Sequence, residues 1–398
     1  MFFEKKILVG VTGGIAAYKT CEIIRELKRN RAEIQVVMTN SAMEFITPLT
    51  LATLSENPVL TAMFGESYST STVHIEAARW ADAVLICPAT ADTIGKIASG
   101  IADNLLTTLV MATTAPVIFC PAMNKEMYAN PLYQQNAEKL KQGGYYFVES
   151  EVGELACGEF GWGRLADVFQ IISKLKRVLL GTDELKGKKI LVTAGRTEEP
   201  LDPVRFITNY SSGKMGFAIA EAATLKGAEV TLISGPNNLR PYGDIKYTQV
   251  QTSDQMAEAV EQEVASQDII IMAAAVADFK PEIYFEHKIK KMNLASTIKL
   301  VKTKDILKEI GKKKGKKILV GFAVETENEL ENAKRKLVEK NLDLIVLNNP
   351  LEQGAAFGND TNVVTFIDAK GNSEKFPLMS KREVAVKILD RIVDLMKK

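Results

Sequence analysis

The segment Asn209-Tyr210-Ser211-Ser212-Gly213-Lys214-Met215-Gly216 sets hydroxyls, backbone N–H groups and one ammonium at the start of an apolar helical stretch. Unpaired N–H groups at the positive end of a helix attract phosphate, so the segment reads as a phosphate cradle. The glycine spacing that precedes the lysine of a P-loop is missing, which sets an ordinary P-loop ATPase aside. A second cradle stands near the N-terminus, where Gly13, Gly14 and Ile15 follow the apolar run Ile7 to Val11. It lacks the full dinucleotide glycine fingerprint, and the next strand ends in Thr39-Asn40-Ser41 rather than in an acid able to hold a ribose. Hydroxyl and amide donors at Thr39 suit the phosphate of a mononucleotide better than NAD.

Other residues could act beside these cradles. Asn124, in Pro121-Ala122-Met123-Asn124, can donate to a carboxylate without carrying charge, and it can equally cap a helix. Cys157 lies in a loop, Glu154 to Arg164, whose glycines and aromatic residues suit a lid. Glu151, Glu154 and Glu159 crowd it with negative charge, which favours a protonated donor over a thiolate nucleophile. A lone histidine such as His74 reads as structural unless it keeps company with Asn124 and Cys157. Ala89 and Thr90, just past the run Ala83 to Cys87, stand where a ligand of an open sheet lies.

In the second half, Ala273-Ala274-Ala275-Val276-Ala277-Asp278 ends an apolar run in small residues that admit a close ligand. Asp278 is placed there for a metal or a sugar hydroxyl. Lys288-Ile289-Lys290-Lys291 is a basic cluster that composition alone reads as a solubilising surface. Lys336 and Lys340 are one helical turn apart, so both can face one ligand. Glu198, Glu199 and Asp202 read as solvated or ion-paired groups rather than as an acid–base pair.

Positioning such residues takes two folded units. The chain has 398 residues, 46% apolar and 25% charged, with a net charge of +1 that offers no argument for nucleic acid or membrane partners. No apolar run approaches the roughly 20 residues of a spanning helix, and the start lacks a secretory signal. The 4 cysteines show no paired spacing, which suits a reducing cytoplasm, and 2 histidines are too few for a multi-histidine metal site. Short apolar runs alternate with amphipathic stretches in both halves, the pattern of parallel sheets covered by helices. The periodicity predicts helices over 15–28 and 93–111 in the first half, and strands over 190–193, 229–233, 269–273, 318–322, 344–347 and 363–367 in the second. The expected fold is α/β, with two doubly wound Rossmann-like domains over residues 1–182 and 186–398.

Gly13-Gly14-Ile15-Ala16, His74, Pro121-Ala122-Met123-Asn124 and the Cys157 loop together resemble the flavin-containing cysteine decarboxylases acting on 4'-phosphopantothenoylcysteine. The resemblance implies a flavodoxin-like flavoprotein domain holding FMN at Gly13, Gly14, Ile15, Thr39, Ala89 and Thr90. It implies oxidation of the cysteinyl thiol, loss of carbon dioxide from the thioaldehyde, then protonation and reduction. His74 would lie near the reacting group, Asn124 would hold the carboxylate and Cys157 would supply the proton. Tyr128 stands where some relatives carry tryptophan, so an aromatic ring is kept.

The second half, through Asn209 to Gly216, Ala273 to Phe279 and Gly321-Phe322-Ala323-Val324-Glu325-Thr326, is similar to the bacterial phosphopantothenate-cysteine ligases that use CTP. That resemblance implies a nucleotide-binding ligase domain in which Lys288 assists formation of an acyl-cytidylate. Asn209 would promote its capture by cysteine, with Arg205 in the same substrate loop. Contacts to CTP would come from Met272, Ala273, Ala274, Asp278, Lys304, Asp305, Ile306, Leu307, Phe322, Lys336 and Lys340, with Mg2+ accompanying CTP at Asp278. CTP rather than ATP rests on the resemblance alone. A bifunctional enzyme of coenzyme A biosynthesis is implied. It would join 4'-phosphopantothenate to cysteine and decarboxylate the product to 4'-phosphopantetheine. Its expected state is a cytoplasmic homo-oligomer, trimer-based and extending to a dodecamer. The rival is a flavin-binding regulatory subunit without turnover, against which the joint presence of His74, Asn124, Cys157 and an attached ligase argues.

Overall fold

The computed structural model describes residue 2 and residues 4–64, 72–243, 245–289, 297–356 and 358–397. Two compact units emerge, Met1–Leu180 and Gly181–Lys398. No helix among the described residues is long and apolar enough to cross a membrane.

In the first unit β1 (Lys6–Val11), β2 (Glu33–Met38), β3 (Ala83–Ala89), β4 (Val117–Pro121) and β5 (Tyr146–Phe147) form a five-stranded sheet in the order β2-β1-β3-β4-β5, all parallel. Successive side chains of a strand point to opposite faces, and here both faces are covered. Ile7, Val9 and Val11 pack with the helices Thr20–Arg29 and Val168–Leu180, while Leu8, Val84 and Ile86 pack with Ala91–Ala98, Leu105–Ala112 and Pro131–Gln142. That double burial is why these strands are nearly continuous apolar runs. An antiparallel hairpin, β6 (Glu151–Glu154) and β7 (Phe160–Arg164), carries Cys157 in its turn.

Two predicted helices are divided. Gly14 is extended (φ −168°, ψ 157°), so residues Ile15–Lys19 form a 3₁₀ turn before the α-helix begins at Thr20. The stretch expected as one helix over 93–111 breaks after Ala98, where Gly100 takes φ +72° and Asn104 starts a new helix through a reciprocal capping box with Thr107.

The second unit contains β8 (Lys189–Ala194), the short pair β9 (Glu199–Pro200) and β10 (Phe206–Ile207), β11 (Glu229–Ser234), β12 (Lys246–Gln249) and β13 (Ile269–Met272). It continues with the antiparallel pair β14 (Phe279–Pro281) and β15 (Leu300–Lys302), then β16 (Ile318–Val324), β17 (Leu344–Asn348), β18 (Thr361–Asn362), β19 (Val364–Asp368) and β20 (Ser373–Lys375). The main sheet runs β12-β11-β8-β13-β16-β17-β19-β20. Its first six strands are parallel in the doubly wound nucleotide-binding order. β19, over the last predicted strand, is instead antiparallel to β17. No helix intervenes between them among the described residues, and a parallel return requires a crossover. Ile190, Val192 and Ala194 pack with Lys214–Leu225 and Lys381–Met396, and Leu191 and Ile270 pack on the other face.

The helix Lys214–Leu225 lies directly on β8. A Cβ at Gly216 would sit 2.5 Å from Ala194 Cβ and 2.8 Å from the Thr193 carbonyl oxygen, so only glycine permits this approach. Gly216→Ala should therefore lower the urea-unfolding midpoint of this unit by the equivalent of about 1–3 kcal/mol, the cost of overpacking. An unchanged midpoint would show that the helix can retreat freely.

The acids near β9 are structural, and all three are buried rather than solvated. Asp202 pairs with Arg205, whose guanidinium holds its carboxyl well below the usual carboxylate range. Glu199 accepts a hydrogen bond from Ser253 N at 2.8 Å, and Glu198 lies 3.2 Å from the Arg196 guanidinium.

Candidate active sites

The first cleft, about 670 Å³, opens beyond the carboxyl ends of β1, β3 and β4 and is covered by the β6–β7 hairpin. Buried threonines join its walls. Thr12 Oγ1 donates to the Pro88 carbonyl (2.7 Å) and accepts from Thr90 N (3.0 Å), and Thr20 Oγ1 donates to the Cys87 carbonyl (2.9 Å). Gly13 lies against Ser41: a Cβ there would come within 2.3 Å of Ser41 Cβ. Gly163, at φ +117°, lets the hairpin dock, since its carbonyl accepts from Met123 N (2.9 Å) and a Cβ would strike the Met123 oxygen.

Asn124 caps the helix Lys125–Ala129, its Oδ1 accepting from Glu126 N at 2.8 Å. Its Nδ2 donates to Glu159 Oε2 (3.0 Å) and lies 3.6 Å from Cys157 Sγ. The Cys157 thiol donates to the same Glu159 oxygen at 3.6 Å, and Lys125 Nζ is 3.5 Å from the other. The amide of Asn124, aided by Lys125, draws the Glu159 carboxyl below its usual range. Asn124 thus caps a helix through its oxygen and turns its amide nitrogen toward Glu159 and Cys157. Tyr128 stacks on Trp162 with ring centroids 6.1 Å apart, and burial, with Glu149 nearby, pushes its phenol up to about 12.

Gly13, Gly14, Ile15, Thr90, Asn124 and Cys157 all line this cleft; Thr39, Ala89 and His74 do not. Ala89 is wholly buried because β3 runs on through it, paired with Pro121, past the predicted end at Cys87. Thr39 leaves its Oγ1 buried without a partner, and so does His74 with its Nδ1, on the helix Val73–Trp80. Gly13, which has no room for a Cβ beside Ser41, and the unsatisfied Thr39 hydroxyl fit a phosphate-bearing flavin. Sequence reasoning missed Thr12 and Thr20, although hydroxyls flanking a glycine pair inside an apolar run were the available signal.

The second cleft, about 690 Å³, lies beyond β8, β13 and β16. Thr193 Oγ1 accepts from Ala274 N (3.1 Å) and Thr197 Oγ1 from Ala277 N (3.0 Å), fixing the small-residue segment. Asn209 is held at both ends: Nδ2 donates to the Ala275 carbonyl at 2.7 Å and Oδ1 accepts from Ser211 N at 3.0 Å. Met272, Ala273, Ala274, Asp278, Lys304, Asp305, Ile306, Leu307, Phe322, Lys336 and Lys340 line the cleft. The two helical ammoniums face it together, Lys336 paired with Glu325 (2.6 Å) and Lys340 with Asp305 (3.0 Å).

Arg205 and Lys288 do not line it. They belong to two loops tied to each other, through Ile289 N to Asp202 (3.3 Å) and Arg205 Nη2 to the Ile289 carbonyl (3.2 Å). Lys290 and Lys291 lie outside the described residues. Among the described residues no group of three or more His, Cys, Asp or Glu side chains gathers around Asp278 or elsewhere.

Lining residues that escaped the sequence include Asn348, Asn362 and Lys381. Lys381 is the first residue of the closing helix, behind the Ser380–Glu383 capping box, and donates to the Asn359 carbonyl at 2.6 Å. Burial, reinforced by Lys214 and opposed by Asp360, pulls its ammonium down to about 8.

Two family models match the chain: Flavoprotein over residues 3–180, and DNA/pantothenate metabolism flavoprotein C-terminal domain over residues 185–396. The Coenzyme A biosynthesis bifunctional protein CoaBC of Bacillus subtilis strain 168 is 46% identical over 400 residues, covering 100% of this chain and 98% of that protein. The chain belongs to the CoaBC family. Among solved structures, the C-terminal domain of a Coenzyme A biosynthesis bifunctional protein CoaBC is 43% identical, covering 54% of this chain and 99% of its own (TM-score 0.48). A mutant PPC decarboxylase complexed with pantothenoylaminoethenethiol is 30% identical, covering 44% and 97% (TM-score 0.39). As a CoaBC protein the chain is a bifunctional enzyme of coenzyme A biosynthesis, a flavoprotein decarboxylase followed by a ligase.

Proposed function

We propose that the second unit joins 4'-phosphopantothenate to cysteine at the expense of CTP, and that the first decarboxylates the resulting 4'-phosphopantothenoylcysteine to 4'-phosphopantetheine. A carboxylate cannot expel hydroxide readily, so it first attacks the α-phosphorus of CTP, releasing pyrophosphate and forming an acyl-cytidylate. The cysteine amine then displaces CMP. Helix N–H groups beside Gly213, with Lys214, Lys336 and Lys340, supply donors and charge for the phosphates. Mg2+ would arrive with CTP, with Asp278 as its protein ligand and phosphate and water oxygens completing the shell. Asn209 acts on the acyl-cytidylate, and Arg205 and Lys288 reach the substrate from their own pair of loops.

In the first unit FMN, held by Gly13, Gly14, Thr39 and Thr90, would supply the two-electron oxidation and its reversal. Asn124 binds the substrate carboxylate, and Cys157 gives its proton to the carbon that has lost carbon dioxide. The single observation carrying this reading is the approach of Asn124 Nδ2 to Cys157 Sγ, 3.6 Å, over the glycine cradle. His74 would meet the cleft in a homo-oligomer, trimer-based, an assembly in keeping with the exposed Ile15, Tyr18 and Leu49 of this unit. A cytoplasmic setting accords with four free cysteines.

Incubation with 4'-phosphopantothenate, cysteine and each nucleoside triphosphate in turn, with products weighed by mass spectrometry, tests the whole scheme. Absence of 4'-phosphopantetheine with CTP would reject it. The state of Lys381 adds a pH test. Its ammonium is charged below about 8 and lost above it, so the KM for CTP should rise as pH passes upward through about 8. The stability sign is opposite: the folded protein then sheds a proton that the unfolded chain keeps, so this group's contribution to stability grows between about 8 and the ordinary lysine value of 10.5. A KM for CTP flat across that range would exclude Lys381 from binding.

A further inference from the structure

Among the described residues Glu159 is the one carboxylate in contact with both Asn124 and Cys157, and the scheme above gives it no task. Its Oε2 accepts from Asn124 Nδ2 at 3.0 Å and from the Cys157 thiol at 3.6 Å, while Lys125 Nζ lies 3.5 Å from Oε1. An amide N–H backed by an ammonium is the donor set that a substrate carboxylate would need at this place.

We infer that Glu159 is a positioning residue that stands in for the substrate carboxylate at Asn124, yielding its place when substrate enters and returning, with Cys157, when carbon dioxide leaves. The inference rests on the reading of Asn124 as the carboxylate ligand.

Three features support the exchange. Glu159 sits in the turn between β6 and β7, with 42% of its side chain exposed, so its ion pair with Lys125 is weakly held and displaceable. Gly158, at φ +79°, gives that turn a backbone able to change. The two residues share one short turn, and with the carboxylate on Asn124 the thiol lies 3.6 Å from the same amide. Substrate bearing its carboxylate would hold the turn off. Once the carboxylate departs as carbon dioxide, the donors of Asn124 and Lys125 lack a partner and the turn comes back. The Cys157 S–H bond then breaks and its proton forms the new C–H bond with the electron pair of the enethiolate. The sulfur regains a proton from water. Protonation is thereby timed to follow carboxylate loss.

The test compares two probes that cannot be oxidised, 4'-phosphopantothenoylserine, which carries the carboxylate, and its decarboxylated counterpart, 4'-phosphopantothenoylethanolamine. Both are titrated into the flavin-loaded full-length protein and followed by flavin absorbance, which reads only the first cleft. Glu159→Gln keeps the shape of the side chain and removes its charge. The serine probe should then bind about threefold or more tighter, since the displaced competitor is weaker, with the ethanolamine probe unchanged and kcat for the natural substrate reduced. A merely structural role would weaken both probes together, and that result, or equal binding of the serine probe, overturns the inference. Asn124→Ala separates the two levels. If it leaves both probes at wild-type affinity, the carboxylate reading of Asn124 itself falls. If it weakens only the serine probe while Glu159→Gln tightens nothing, Glu159 alone has been misassigned.

Discussion

Cys157→Ser should reduce formation of 4'-phosphopantetheine by about 10²–10⁴-fold, the usual worth of a placed general acid, while carbon dioxide is still released. The thiol is exposed at the hairpin turn and its partners are Asn124 and Glu159, so the smaller serine leaves the Asn124–Glu159 bond and the fold untouched. A hydroxyl gives up its proton far less readily than a thiol. The decarboxylated species should therefore leave as the still-oxidised enethiol, two hydrogens lighter than 4'-phosphopantetheine by mass spectrometry. Undiminished 4'-phosphopantetheine would remove Cys157 from the proton-transfer step.

Asn209→Asp should depress amide formation by about 10²–10³-fold, the cost of losing one placed donor, while pyrophosphate release continues. The substitution keeps an oxygen to accept from Ser211 N, so the phosphate cradle retains its shape. What it loses is the Nδ2 donor, now held 2.7 Å from the Ala275 carbonyl in the wall of the cleft, and a negative charge takes its place. Pyrophosphate and acyl-cytidylate should accumulate without 4'-phosphopantothenoylcysteine. Loss of both half-reactions together would move Asn209 to the first step.

Much of this architecture could be read from residue patterns because burial on both faces leaves a parallel strand little choice but to be apolar, as in Ile7 to Val11 and Ile269 to Met272. Strand direction was less legible. β19 has the composition of its parallel neighbours, and only the lack of an intervening helix betrays its reversal. Within the sites, glycines and small residues announced themselves through local spacing. The threonine ties did not, since Thr12 and Thr20 bond to carbonyls 76 and 67 residues away. Lys381 was hidden for a similar reason: capping marks where its helix starts, but only the packing of that helix beside Lys214–Leu225 carries its ammonium to the cleft. His74 shows the converse, a residue type suited to chemistry whose helix leaves it away from the cleft of its own unit.

The placement of Asn362 and Lys381 in the wall that Asn209 and Gly213 begin has a bearing on biogenesis. During translation every residue that this chain gives to the wall of the first cleft has emerged once residue 180 is made, whereas the second cleft stays open on one side until the helix from Lys381 to Met396 is made. A ribosome thus finishes the decarboxylase first and the ligase last, the reverse of the order in which metabolites pass through them.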